Sequence, residues 1–121
     1  MDLLTYLRED MVRLMKRREK VALRAVRDAV SAIQNAETSY VATPARIGPV
    51  TEFVAGAVRF GQAERVVRSL SDADQLALAR AEVSRRLEEA VRYREAGDVD
   101  GALMLKAEAL ALADRLDAYA A

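Results

Sequence analysis

The chain has 121 residues, 52% of them hydrophobic and 31% charged, and its 19 basic residues balance its 19 acidic ones. That length suits one domain with a packed core rather than two marginal ones of about 60 residues, and the apolar fraction excludes wholesale disorder. The absence of cysteine and histidine removes a disulfide framework, a thiolate zinc site, the thiol nucleophile, and the commonest general base and metal ligand. Two prolines, five glycines and many Ala, Leu, Arg and Glu residues point to an all-α fold. Charge arrives too early, at Arg8 and Glu9, for a signal peptide. No run of about 18 apolar residues occurs, so the expectation is a cytoplasmic protein without a membrane segment.

In the first third, Leu4, Leu7, Met11, Leu14 and Met15 recur at steps of three and four and line one helical face. Leu23, Val26, Val30, Ile33 and Tyr40 form a second stripe. Continuing the first stripe would reach positions 22, 25, 29 and 32, which are all alanine. The bulky residues sit one step over, a rotation of about 100°. This phase slip falls across Lys16 to Lys20 and predicts two helices, Asp2–Arg17 and Glu19–Tyr40, folded back at a turn near Arg18. The alternative is one continuous helix from Asp2 to Tyr40, since no Gly or Pro marks a break. It would be about 58 Å long, unwieldy in so small a domain.

Residues 41–70 carry Pro44, Gly48, Pro49, Gly56 and Gly61 and read as a connecting excursion, with a short element near Phe53 and Phe60. Ser71 then caps a helix over Asp72–Ala96, with Asp72 and Asp74 favouring its positive end. Gly97 terminates that helix, and Asp98 or Asp100 caps the last one, Val99–Tyr119. This last helix has two neighbouring apolar stripes. One is Leu105, Ala109, Leu112, Leu116 and Tyr119; the other is Leu103, Ala107, Leu110 and Ala113. Two stripes exceed what one packing partner requires. Either the helix is central to the bundle, or Leu105, Leu112, Leu116 and Tyr119 form an association face for a second copy or another helical protein.

No nucleophile–base set can be assembled, and glycine-rich phosphate loops are missing. The Asp72/Asp74 and Asp98/Asp100 pairs stand at helix starts, so no metal, cofactor or small-molecule substrate is expected. Glu82, Glu88 and Glu89 alternate with Arg85, Arg86 and Arg92 as ordinary surface pairs. One charge pattern is less ordinary: Arg13, Arg17, Lys20, Arg24 and Arg27 follow at steps of four, three, four and three. Residues 8–27 hold eight basic and three acidic side chains, whereas residues 95–121 hold two basic and six acidic. The basic stripe is either a grip for RNA phosphates or a solvated face paired with Glu9, Asp10, Glu19, Asp28 and the acidic last helix. No aromatic residue is interleaved for base stacking, which argues against sequence-specific reading of single strands.

Leu3-Leu4-x-x-Leu7-x-x-Asp10-Met11-x-x-x-Met15-Lys16, then Lys20, Leu23-Arg24 and Ala32-Ile33-Gln34-Asn35-Ala36-Glu37, resemble the opening of GatB/YqeY-type proteins. Leu70-Ser71-Asp72, Glu82-Val83-x-x-Arg86, Tyr93-x-x-Ala96-Gly97-x-x-x-Gly101-Ala102 and Lys106-Ala107-Glu108 resemble their second helical hairpin. The resemblance covers about three-quarters of the chain. It implies a four-helix bundle of two antiparallel hairpins, which longer relatives follow with a three-helix bundle. The tail of the glutamyl-tRNA amidotransferase B subunit has this arrangement and helps hold tRNA. Two features depart from the pattern: the chain stops at Tyr119-Ala120-Ala121 where relatives continue, and Glu19 stands where they often carry Asp. No catalytic residue carries over, so any carbon–nitrogen ligase label would rest on kinship alone.

The expectation is therefore a single all-α domain over residues 1–121, acting as a non-catalytic module. Its partner would be tRNA or a translation component, held through Arg13, Arg17, Lys20, Arg24 and Arg27. The alternative is a structural homodimer module that binds no nucleic acid.

Overall fold

The computed structural model describes residues 1–42, 63–67 and 69–121. Pro44, Gly48, Pro49, Gly56, Gly61 and the short element expected near Phe53 lie outside the described residues. Two compact units are present, one of residues 1–34 and 70–121, the other of residues 35–69.

The first unit is a bundle of four helices. Asp2 opens α1 (Leu3–Arg17), its carboxylate accepting from the Thr5 amide at 2.9 Å. The turn falls at Arg18, which takes the left-handed conformation (φ 58°), while the Glu19 amide reaches back to the Leu14 carbonyl at 3.0 Å. That closure caps a helix end without glycine, and α2 (Lys20–Glu37) follows directly. The break expected from the phase slip is therefore present at Arg18, and the single long helix is not.

Ser71 caps α3 (Asp72–Glu95), accepting from the Asp74 amide at 3.1 Å. Gly97, at φ 89°, supplies the left-handed residue that ends it. Asp98 caps α4 (Val99–Ala120) by accepting from the Gly101 amide at 2.9 Å. Gly101 is required for a different reason: a Cβ there would stand 2.6 Å from the Tyr93 ring and 2.5 Å from Asp98.

The second unit holds a two-stranded antiparallel ribbon, β1 (Thr38–Ala42) with β2 (Ala63–Val67), in the register Thr38↔Val67 through Ala42↔Ala63. This corrects the expected end of α2 at Tyr40. Thr38, Tyr40 and Val41 are poor helix formers and good strand formers, and β2 offers their backbone a hydrogen-bonded partner from the far end of the excursion.

Leu3, Leu7, Leu14, Val26, Ile33, Leu112 and Leu116 are fully buried at the bundle centre. Ala22, Ala25 and Ala29 are buried beside Val26, Val30 and Ile33, so α2 hides both its alanine line and its bulky stripe. One end of the bundle is tied by polar contacts. The Leu3 amide donates to Asp72 at 2.9 Å and the Leu4 amide to the buried Gln75 at 2.9 Å, so α3 side chains satisfy orphan donors of α1. Gln75 in turn donates to Asp2 at 3.2 Å and to the Leu70 carbonyl at 3.3 Å.

These contacts start α1 and α3 at the same level, and the successive contacts of Tyr6 with Tyr119 and of Asp10 with Arg115 run α1 against α4, the same way as α3. With 15 residues against 24, α3 outruns α1 by about 13 Å at 1.5 Å per residue. The tip of the α3–α4 hairpin therefore projects past the α1–α2 turn, and every residue from Val91 to Asp100 is exposed.

Candidate nucleic-acid interface and the charge network beside it

The α1–α2 turn gathers the sequence-predicted cations at the end of the bundle from which the α3–α4 tip projects. Arg13 lies on α1 one turn before Arg17; Lys20, Arg24 and Arg27 follow on α2; all five are exposed, as are Lys16 and Arg18. The structure divides them. Arg13 leans on Asp10 at 3.5 Å, and Arg24 crosses to α4 to meet Glu108 at 3.2 Å. Among the described residues, Lys16, Arg17, Arg18, Lys20 and Arg27 have no carboxylate within 4.0 Å. The stripe is therefore partly internal cement and partly free positive surface.

Arg86 is the group that helical spacing misread. Expected as one of several surface pairs, its side chain is only 4% exposed. It donates to Glu108 at 3.1 Å, to Glu82 at 3.2 Å and to Asp28 on α2. Glu108 is equally buried, and Arg24 closes the network from the other side. Burial works against the Arg86 charge, but the hydrogen bonds it donates to Glu108 and Asp28 outweigh it and hold its pKa above the ordinary value. The planar guanidinium fork suits three carboxylates on three helices as a lysine would not. Only the three-dimensional meeting of α2, α3 and α4 shows this; in sequence Arg86 is one arginine of a charged run. A smaller tie of the same kind joins Arg115 to Asp10 at 2.5 Å.

The expected association face is corrected. Leu112 and Leu116 are completely buried in the core, Leu105 is half-buried, and Tyr119 packs its ring 5.1 Å from that of Tyr6. The Tyr119 hydroxyl donates to Asp72 at 2.8 Å. Desolvation and that bond push its pKa up to about 12. Heptad spacing marked this stripe because it is the one the bundle uses; the neighbouring stripe of Leu103 and Leu110 stays outside. Asp72 and Asp98 serve as hydrogen-bond acceptors for helix starts, and among the described residues no group of three acidic side chains converges as metal ligands would.

The fold and the site together define an all-α bundle stiffened by a buried charge network, with a basic turn at one end. No helix of the described residues is long and apolar enough to cross a membrane. No protein-family model, curated protein or solved structure matches the chain.

Proposed function

We propose that the chain is a non-catalytic helical module of the GatB/YqeY-like kind that binds RNA, with tRNA as the partner the resemblance suggests. The observation that carries this reading is the set of uncompensated cations at one turn: Lys16, Arg17, Arg18, Lys20 and Arg27, exposed and without carboxylate neighbours among the described residues. Arg13 and Arg24 flank them, partly engaged. Unpaired cations held on rigid helices attract phosphate oxygens at little ordering cost. Binding of this sort tracks backbone shape and charge rather than base identity, in keeping with the lack of aromatic residues at the turn.

The test is the mobility of bulk tRNA on native gels across a salt series. Retardation that weakens steeply with salt is expected. Replacing Arg17, Lys20 and Arg27 by Ala should flatten the salt slope by about 0.7–0.9 for each phosphate that is no longer neutralised. Arg24→Ala should also loosen the bundle, because it deprives Glu108 of a partner. Absence of any shift at low salt with micromolar protein would remove the proposal.

A further inference from the structure

The notch between the α1–α2 turn and the projecting α3–α4 tip has a wall as well as a basic floor. Leu3 stands level with Asp72, so Arg17, as far along α1 as Arg86 is along α3, stands level with Arg86. The Tyr6–Tyr119 and Asp10–Arg115 contacts, continued along α1 and α4, bring Arg17 level with Glu108 as well. The first helix therefore ends beside the buried Arg86–Glu108 pair, and the residues farther out on α3 and α4 have no α1 to cover them. Tyr93 lies close to two full turns past Arg86, on the same face of α3 and about 10 Å beyond it. Met104 lies one turn outward of Glu108 on α4. These are the faces turned toward α2, where Arg86 meets Asp28 and Glu108 meets Arg24. Both side chains remain in water, Tyr93 43% exposed and Met104 46%. Gly101 shows how the ring is held: a Cβ there would stand 2.6 Å from it, so the ring is seated directly on the α4 backbone with the remainder open.

The charges around the notch have a polarity. Lys16, Arg17, Arg18 and Lys20 make the floor, with Glu19 as the one acidic residue among them. The wall is acidic at its outer end: Asp98 and Asp100 open α4 beside the ring, whereas Glu89 on the flank is held by Arg85 at 3.3 Å. Glu88 and Glu95 lie on the opposite face of α3 from Arg86 and Tyr93. Phosphates are thus drawn to the floor and repelled by the tip, so a nucleic-acid strand entering the notch lays its backbone on the turn and presents a base to the wall. A helix of either net charge meets repulsion from one of the two. We infer that Tyr93, with Met104 beside it, stacks an unpaired base of the bound RNA, so that the notch prefers a duplex carrying a single-stranded tail to a blunt one. The inference rests on the proposed RNA binding at the α1–α2 turn and adds to it a residue from another pair of helices. Stacking on a side-chain ring accepts any base, so it confers a preference for unpaired nucleotides and none for sequence.

The probes are a blunt RNA hairpin, the same hairpin extended by a short 3′ adenosine tail, and a third whose tail is abasic, each labelled for fluorescence anisotropy at one fixed salt concentration. The full chain should bind the adenosine-tailed RNA about fivefold or more tightly than the other two. Tyr93→Ala should erase that difference while leaving blunt-hairpin binding and the circular-dichroism spectrum unchanged, and Tyr93→Phe should keep it. The chain has no tryptophan, so Tyr93→Trp supplies a single reporter whose emission the adenosine-tailed RNA should quench and the blunt hairpin should not. Replacing Arg17 and Lys20 by Ala should weaken all three RNAs alike, which separates the cations from the ring. If the blunt and adenosine-tailed hairpins bind equally, the RNA reading stands and the stacking inference falls; if neither binds, both fall. Equal tightening by the abasic tail, loss of blunt-hairpin binding in Tyr93→Ala, or a dimer in sedimentation that Tyr93→Ala makes monomeric would also overturn the inference.

Discussion

Replacing Arg86 by Met tests whether the buried charge network holds the bundle together or merely fills space. The substitution conserves the unbranched stem and removes the fork that binds Glu108, Glu82 and Asp28. Asp28 is 46% exposed and Glu82 partly so; both regain water, and each loss is worth tenths of a kcal/mol. Glu108 is the costly member. At 4% exposure it keeps a single partner, the Arg24 nitrogen at 3.2 Å. Breaking a buried pair by deleting one member typically costs about 3–5 kcal/mol. The surviving Arg24 contact places this case near the lower end, about 3 kcal/mol. For a domain of this size that lowers Tm by about 12 °C. Adding Glu108→Leu removes the stranded carboxylate and should return the double variant to within about 1 kcal/mol of the parent, because apolar replacement of a buried pair is often neutral. Urea unfolding followed by far-UV circular dichroism, with an unchanged denaturant slope, measures all three proteins. A single variant that loses less than about 1 kcal/mol, or a double variant no more stable than the single, would refute the reasoning.

The remaining predictions concern the core and the tied end of the bundle. Leu112→Ala should cost about 2–5 kcal/mol and Leu112→Glu should prevent folding, read as loss of helical signal; a folded, merely monomerised Leu112→Glu protein would restore the association face. Gln75→Leu should cost about 1–3 kcal/mol in urea unfolding, because the buried Leu4 amide loses its acceptor. Asp2→Ala should cost about 1 kcal/mol through removal of the cap. The Thr5 hydrogen bonds, with help from Gln75, hold the Asp2 carboxyl down to about 2. Its folded value lies below its unfolded one, so its contribution is complete above about pH 4 and lost as pH falls toward 2; the Asp2→Ala protein should lack that part of the acid transition. Tyr119 has the opposite sense. Its folded pKa of about 12 exceeds the unfolded value, so its contribution persists below about pH 10 and disappears as pH rises toward 12, and Tyr119→Phe should remove that alkaline dependence in a pH-resolved melting series.

Local chemistry was enough to place most of the helices. The turn at Arg18 followed from a phase slip in hydrophobic spacing, and the starts at Ser71 and Asp98 and the stop at Gly97 followed from capping groups that act within a few residues. Each of those signals is short-range, so the chain carries it in consecutive letters. The end of α2 was not legible in that way: Thr38–Ala42 becomes a strand because a second strand some twenty residues onward completes its ladder.

The site shows the same division more sharply. Position in the chain was enough to cluster Arg17, Lys20 and their neighbours, since a turn necessarily brings them together. Which cations are spent internally depended on α4, which presents Glu108 to Arg24 and Arg86. Periodicity found two apolar stripes on α4 but could not rank them, because a helix reads the same whichever face meets the bundle. Helical content, caps and charge asymmetry were thus determined by the sequence alone. Tertiary packing decided the buried Arg86 network, the interior place of Leu112 and Leu116 and the outward place of Leu103, because burial belongs to neighbours distant in the chain.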